Sequence, residues 1–307
     1  MTRTTIISDT HMPRHASIRS AGALQGLIEG TDRLLVNGDL AEFHQPGLEE
    51  ASRQALEDLR ERAERASTEL LLLAGNHDPL ISPWRAASFG EGRILVTHGD
   101  AFHSTIAPWA REARLIREEW KRIRDSHGRI SETIEDRFDA VRGAALAEWA
   151  TEQTQTSYST IFNLMMRPRA ALKILTYWRA APSLARAFAE AFFPEAEFMI
   201  VGHTHLCGVN RAAHPAVINT GAFGFPLKPI AVILEGDRLE VTPLVRRKTQ
   251  WLTAKDQPLL VEQVPCAGQL DGLFGPHPDE DPDRGESPSS DPIDRTTSST
   301  ESIETPE

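Results

Sequence analysis

Cysteine is almost missing from this chain. Cys207 and Cys266 are the only two in 307 residues, so a disulfide framework is not indicated. Long apolar runs are missing too. No stretch approaches the ~20 residues that span a bilayer. The opening Met1-Thr2-Arg3-Thr4-Thr5-Ile6 leads straight into a strand, with no apolar signal-peptide region. The expected location is therefore cytoplasmic, with peripheral contact at the inner membrane face as an option. The core also lacks positive charge. Of the formal net charge of −11, residues 267–307 account for −9, from eleven acidic residues against Arg284 and Arg295, and the other 266 residues for −2. A nucleic-acid partner is not expected from such a core. The acidic tail, with Pro278-Asp279-Glu280-Asp281-Pro282-Asp283, has too few apolar residues to offset its ordering entropy and is expected to be disordered.

What is present is a set of short apolar runs that each end in polar residues. Thr4-Thr5-Ile6-Ile7-Ser8 leads to Asp9-x-His11, and Leu34-Leu35-Val36-Asn37 to Gly38-Asp39. Leu70-Leu71-Leu72-Leu73-Ala74 leads to Gly75-Asn76-His77-Asp78, Ile94-Leu95-Val96-Thr97 to His98-Gly99-Asp100, and Phe198-Met199-Ile200-Val201 to Gly202-His203-Thr204-His205. Such runs read as buried strands with polar loops at their carboxyl ends. In α/β folds, loops on that edge converge where ligands bind.

The donor set is Asp, His and Asn. Oxygen and imidazole donors suit divalent Mn, Fe or Zn. Seven residues serve two ions if one carboxylate is shared, and Asp39 can give one oxygen to each. Asp9 and His11 then hold the first ion, and Asn76 and His98 the second. His203 and His205 alternate on an extended segment and can reach different ions. Two ions clamp a phosphoryl oxygen and lower the pKa of a bridging water, so that hydroxide attacks at neutral pH. His77 is the expected proton donor or stabiliser of the charged oxygens. Asp78 or Asp100 is expected to orient a histidine. His44 and His103, each five residues after a ligand, are expected at the substrate mouth.

Strands alternate with helices over residues 1–100, with helices predicted at 18–29 and 46–67. Strands return at 197–201, 216–219, 230–235 and 238–245, with Gly236-Asp237 as a hairpin turn. Residues 104–195 break this pattern. Trp109, Ala113, Ile116, Trp120 and Ile123 mark one helix face, and Ile134, Phe138, Val141, Ala145 and Trp149 another. Pro168 and Pro182 punctuate two further short helices, with Leu172, Leu175 and Trp178 and then Leu184, Phe188 and Phe192. The expected organisation is a core of 1–103 and 196–250, a helical cap insertion of 104–195, and a linker with the acidic tail at 251–307. Residues 153–189 hold Arg167, Arg169, Lys173, Arg179 and Arg186 and no acidic residue. That surface fits an anionic amphiphile or a membrane face. It also fits, and better, a helical hairpin packed on the core with solvated arginines.

The ordered motifs D-x-H, G-D, G-N-H-D, H and G-H-x-H resemble the calcineurin-like metallophosphoesterases over residues 4–245, apart from the helical insertion. The resemblance implies a four-layer α/β/β/α sandwich and a binuclear centre. It implies that Asp9, His11, Asp39 and His205 bind one metal, that Asp39, Asn76, His98 and His203 bind the other, and that His77 contacts the scissile phosphate. The layout around Thr97-His98-Gly99-Asp100 and the insert is similar to the UDP-2,3-diacylglucosamine hydrolases, which cleave a pyrophosphate and hold acyl chains under a helical cap. It departs from them in having His77 where they typically have Arg, and Ala101-Phe102-His103-Ser104-Thr105 where they are acidic. The implied substrate is a small or lipid-linked phosphoester. A nucleotide phosphodiesterase or nuclease, and a non-catalytic binding scaffold, are the competing classes.

Overall fold

Alternation within the short apolar runs sorts their side chains onto two faces, and that sorting builds the layers. The computed structural model describes residues 2–14, 17–108, 110, 112–128, 131–152, 168–224, 228–254 and 257–277. His15, Trp109, Arg167 and the acidic segment from 278 onward lie outside them.

In the first sheet, β1 (Arg3–Ile7), β2 (Arg33–Asn37) and β3 (Glu69–Leu73) pair in parallel. β9 (Ile230–Glu235) lies antiparallel to β1 and turns through Gly236-Asp237 into β10 (Arg238–Arg247). β11 (Gln250–Thr253) and β12 (Leu260–Gln263) pair with β10. The second sheet runs in the order β13 (Leu270–Phe274), β4 (Ala86–Phe89), β5 (Ile94–Thr97), β6 (Phe198–Val201), β8 (Ala216–Asn219) and β7 (Gly208–Asn210). Residues 251–277, read from the sequence as linker, thus carry strands of both sheets. Their runs are short and interrupted by polar residues, so alternation is hard to see without a partner strand.

Three apolar cores separate four layers. Ile6, Leu35, Leu71 and Leu73 from the first sheet meet Phe89, Val96, Ile200 and Ile218 from the second. On the outer face of the first sheet, Ile7, Leu34, Val36 and Leu72 pack under α1 (Gln25–Ile28) and α2 (Glu49–Arg65). On the outer face of the second, Leu95, Met199, Val201 and Val217 pack under α3 (Ala113–Ser126), α4 (Ile134–Glu152) and α5 (Pro168–Phe192). The result is the expected α/β/β/α sandwich.

The insertion therefore does more than cap: its three helices form the fourth layer through Ile116, Trp120, Phe138, Val141 and Phe188. The two short helices predicted around Pro182 are one helix of 25 residues. Proline removes one ladder bond and crowds the carbonyl four residues back, which costs ~3 kcal/mol. Burial on both sides of it, by Tyr177 and by Ala185, Phe188 and Ala189, holds the helix together. Leu172 and Leu175, two of the apolar residues that marked this segment, are 65% and 51% exposed. The helix predicted at 18–29 shrinks to a 3-10 turn at Ala21–Leu24 and one α turn, because Gly22 and Gly26 fall within it and Gly30 follows it. None of the described helices is long and apolar enough to cross a membrane.

Candidate metal centre

The loops after β1, β2, β3, β5 and β6 meet at one edge of the sandwich. Their chain leaves each strand sharply. Asp9, His11, Asp39, His203 and His205 all have φ between 48° and 64°, a left-handed region that non-glycine residues enter rarely and that concentrates at functional sites. Two glycines permit the close approach. A Cβ on Gly75 would lie 2.3 Å from Asp39 Oδ1, and one on Gly202 would lie 2.3 Å from Asp9 Oδ2. Asp78 fixes the Asp39 turn by accepting the N–H groups of Asp39, Leu40 and Gly75 at 2.6–3.0 Å. Burial and the Asp39 charge raise its own pKa to about 7.

The first cluster is Asp9, His11, Asp39 and His205, whose ligand atoms lie within 4.8 Å of one another. His205 Nε2 is 3.1 Å from Asp9 Oδ1 and 3.0 Å from His11 Nε2. His11 Nε2 is 3.8 Å from Asp9 Oδ1 and 4.0 Å from Asp39 Oδ2. Asp9 is also held by its neighbours: Ser8 Oγ donates to Oδ2, and the His203 N–H reaches both oxygens at 3.2 Å. Burial alone would raise Asp9 and Asp39. The surrounding imidazoles outweigh it, His205 and His98 for Asp9, and His98, His77 and His11 for Asp39, so both carboxyls lie below their usual range.

The second predicted set, Asp39, Asn76, His98 and His203, comes together as two close pairs, His98 with Asp39 and His203 with Asn76. His98 Nδ1 lies 2.9 Å from the Asn37 carbonyl, which can only accept, so that nitrogen carries the proton. His98 Nε2 is then a lone pair in the neutral ring. It is buried without a hydrogen-bond partner, 3.3 Å from Asp39 Oδ2. His203 repeats this arrangement. Its Nε2 donates to the Ile106 carbonyl at 3.1 Å, which leaves the Nδ1 lone pair facing Asn76 Oδ1 at 3.0 Å. Burial and His98 lower His203 to about 4, so the ring is neutral. Two acceptors at that distance repel unless a cation lies between them. The donor set and its tautomers thus suit divalent ions. Without a cation a proton supplies the charge: burial disfavours it on His98, but Asp39 more than compensates and raises His98 well above the usual imidazole range.

Histidine orientation falls to a residue that sequence reasoning missed. Glu42 is fully buried. Its Oε1 is 2.7 Å from His11 Nδ1 and 3.1 Å from Arg14 Nε, and its Oε2 is 3.1 Å from His77 Nδ1. It therefore turns the Nε2 of His11 toward the first cluster and the Nε2 of His77 toward Asp39 Oδ2, 3.9 Å away. Burial opposes charge on His77, but Asp39 and Glu42 together raise it to about 10. The His77 side chain is 23% exposed. The signal available in the sequence was a lone acid in Leu40-Ala41-Glu42-Phe43.

Asp78 and Asp100, expected to orient a histidine, serve other ends: Asp78 holds backbone N–H groups, and Asp100 pairs with the buried Arg85 at 2.5 Å. His44 sits behind His77, with ring centroids 4.3 Å apart, and stacks on Trp149 at 6.1 Å. It is 9% exposed, so it backs the site rather than lining its mouth. His103 is half-buried and bonded to Thr105 Oγ1 at 2.6 Å. Arg169 and Lys173 are exposed on α5. The helical layer reaches the centre through two aromatics instead. Trp149 Nε1 donates to the Asn76 carbonyl at 3.1 Å, and the Tyr177 ring lies 6.1 Å from that of His203.

A sequence profile described as the calcineurin-like phosphoesterase superfamily domain matches residues 3–237. No curated protein matches the sequence. Among solved structures the chain is similar to a dimetal phosphatase from Danio rerio, at 13% identity over 82% of this chain and 98% of that one, with a TM-score of 0.43. It is similar to Vacuolar Protein Sorting 29 from Cryptosporidium parvum at 12% identity over 82% and 95%, with a TM-score of 0.37. A cold-active protein-tyrosine phosphatase of a Shewanella species gives 14% identity over 82% and 80%, with a TM-score of 0.39.

Proposed function

The chain belongs to the calcineurin-like phosphoesterase superfamily, and from that premise we propose that it hydrolyses the phosphoester of a compact, partly apolar alcohol or nucleoside. Asp9, His11, Asp39 and His205 would hold one divalent ion, and Asp39, Asn76, His98 and His203 the other. Such a pair polarises a phosphoryl oxygen and lowers the pKa of water. The observation that carries this reading is the pairing of acceptors across 3.0 Å at His203 Nδ1 and Asn76 Oδ1, beside the orphaned Nε2 of His98.

The remaining work belongs to the protein's own groups. Glu42 keeps the proton of His77 on Nδ1 and leaves Nε2–H facing the open side of the site. There it donates to a phosphoryl oxygen as charge develops, or to the departing alkoxide. The leaving group has a place to go. Beside His203 lies a cavity of about 290 Å³ lined by Phe102, Tyr177, Trp178, Leu206 and Val209. That volume falls just below the ~300–1,000 Å³ of small-molecule sites. It suits an aryl or nucleoside group better than a pair of acyl chains, which weighs against a UDP-diacylglucosamine substrate.

The test is hydrolysis by metal-stripped protein reconstituted with Mn, on p-nitrophenyl phosphate, bis(p-nitrophenyl) phosphate and a UDP-linked diacyl sugar. Mn-dependent turnover of the aryl esters, with little on the lipid, is expected. Preference for the UDP-lipid would overturn the leaving-group assignment and keep the phosphoesterase. Absence of metal-dependent turnover on all three would sink both.

A further inference from the structure

A second group of metal-type ligands sits in the helical layer, built from residues outside every motif described above. His127 follows the last turn of α3. Asp136 lies in the first turn of α4, and His277 follows β13. One ligand atom from each lies within 4.8 Å of the others. His127 Nδ1 is 3.4 Å and His277 Nε2 is 3.2 Å from the same oxygen, Asp136 Oδ1. Bonds of ~2.0–2.1 Å to a tetrahedral ion place neighbouring ligand atoms about 3.3 Å apart.

The carboxylate is held in advance. Asp136 is 1% exposed. Its Oδ2 accepts the Thr133 N–H at 3.0 Å, and Thr133 Oγ1 accepts the Asp136 N–H at 3.2 Å, a reciprocal helix cap. That leaves Oδ1 directed at the two imidazoles. Burial works to raise Asp136, yet the Thr133 bonds and the two histidines hold it below the usual carboxylate range, so it is an anion. The His127 side chain is only 7% exposed, and its Nε2 is buried with no hydrogen-bond partner. That nitrogen faces Asp139 Oδ2 at 3.7 Å. A carboxylate behind the far nitrogen of an imidazole, one helical turn on from the ligand carboxylate, is how ligand histidines are commonly oriented.

We propose that His127, Asp136 and His277 form a third, structural cation site of the zinc class, with Asp139 orienting His127. Two imidazoles and one carboxylate suit zinc rather than calcium or magnesium, which prefer all-oxygen sets. Water completes the tetrahedron. The ion joins the end of α3, the start of α4 and the segment after β13, three pieces of chain that share no continuous strand or helix. Its role is to fasten the outer helical layer to the closing strand of the second sheet.

The experiment uses the full chain, stripped with chelator, loaded with Zn²⁺, dialysed and measured by plasma mass spectrometry. Wild type should hold one zinc more per chain than His277→Ala or His127→Gln. Loading should raise the melting temperature of wild type more than that of either variant, since an ion that binds only the folded state stabilises it. Mn-dependent phosphoesterase activity should survive in both variants, which separates this site from the catalytic centre. Should His277→Ala fail to fold, His127→Gln decides alone. Equal zinc content in wild type and a folded variant would overturn the site and leave a hydrogen-bonded His–Asp–His cluster.

Discussion

Glu42→Gln offers the sharpest test of how the centre is organised. Gln keeps the size of Glu but replaces one acceptor oxygen with an NH₂ donor. In the native protein the two carboxylate oxygens face the Nδ1 atoms of His11 and His77 at 2.7 and 3.1 Å, in a fully buried position. Gln can satisfy one imidazole N–H, while its NH₂ opposes the other. The loss is about one charge-assisted hydrogen bond, ~1.5–3 kcal/mol. At 1.4 kcal/mol per tenfold this is a factor of about 10–100, the same range seen when partners behind ligand histidines are removed. If Gln keeps His11, the deficit falls on kcat through His77. If it keeps His77, the deficit falls on metal affinity. Calorimetric titration with Mn and steady-state kinetics on bis(p-nitrophenyl) phosphate separate the two. A variant with native Mn affinity and native kcat would refute the assignment of Glu42 as the residue that positions these histidines.

His77→Ala should leave metal content near the native value and lower kcat by about 10²–10⁴-fold; loss of metal instead would place His77 among the ligands. Asp39→Asn should weaken both ions together because its carboxylate lies between the clusters, and retention of two tightly held ions by mass spectrometry would remove it from the shared position. Asp100→Ala should cost about 3–5 kcal/mol in urea denaturation, since it leaves Arg85 charged and buried without its partner. A cost no greater than that of an exposed ion pair, about 0–1 kcal/mol, would mean that Arg85 finds another acceptor.

The strands and their loops were legible from one dimension because each reports locally. A run such as Leu34-Leu35-Val36 must alternate between two cores, and the Gly-Asp that follows must leave the sheet. Convergence of the loops that carry Asp9, Asp39, Asn76, His98 and His203 followed from order and strand polarity. The segment 251–277 was not, because its strands are defined by their partners β10 and β4 rather than by their own pattern. Nor was the single helix through Pro182, where burial on both sides overrides a local breaker.

Roles that depend on a second, distant residue were invisible in the chain. Glu42 is one acid among 44 acidic residues until folding sets it between His11 and His77. His127, Asp136 and His277 share no motif, and only the packing of α3, α4 and the end of β13 brings their donors within bonding range. The sequence by itself determined the periodicity, the fold class and the residues that can ligate a metal, because those depend on side-chain type and near neighbours. The tertiary structure decided which nitrogen of each histidine carries its proton, which carboxylate stands behind it and what space adjoins the site, because those depend on contacts between segments that the chain itself keeps far apart.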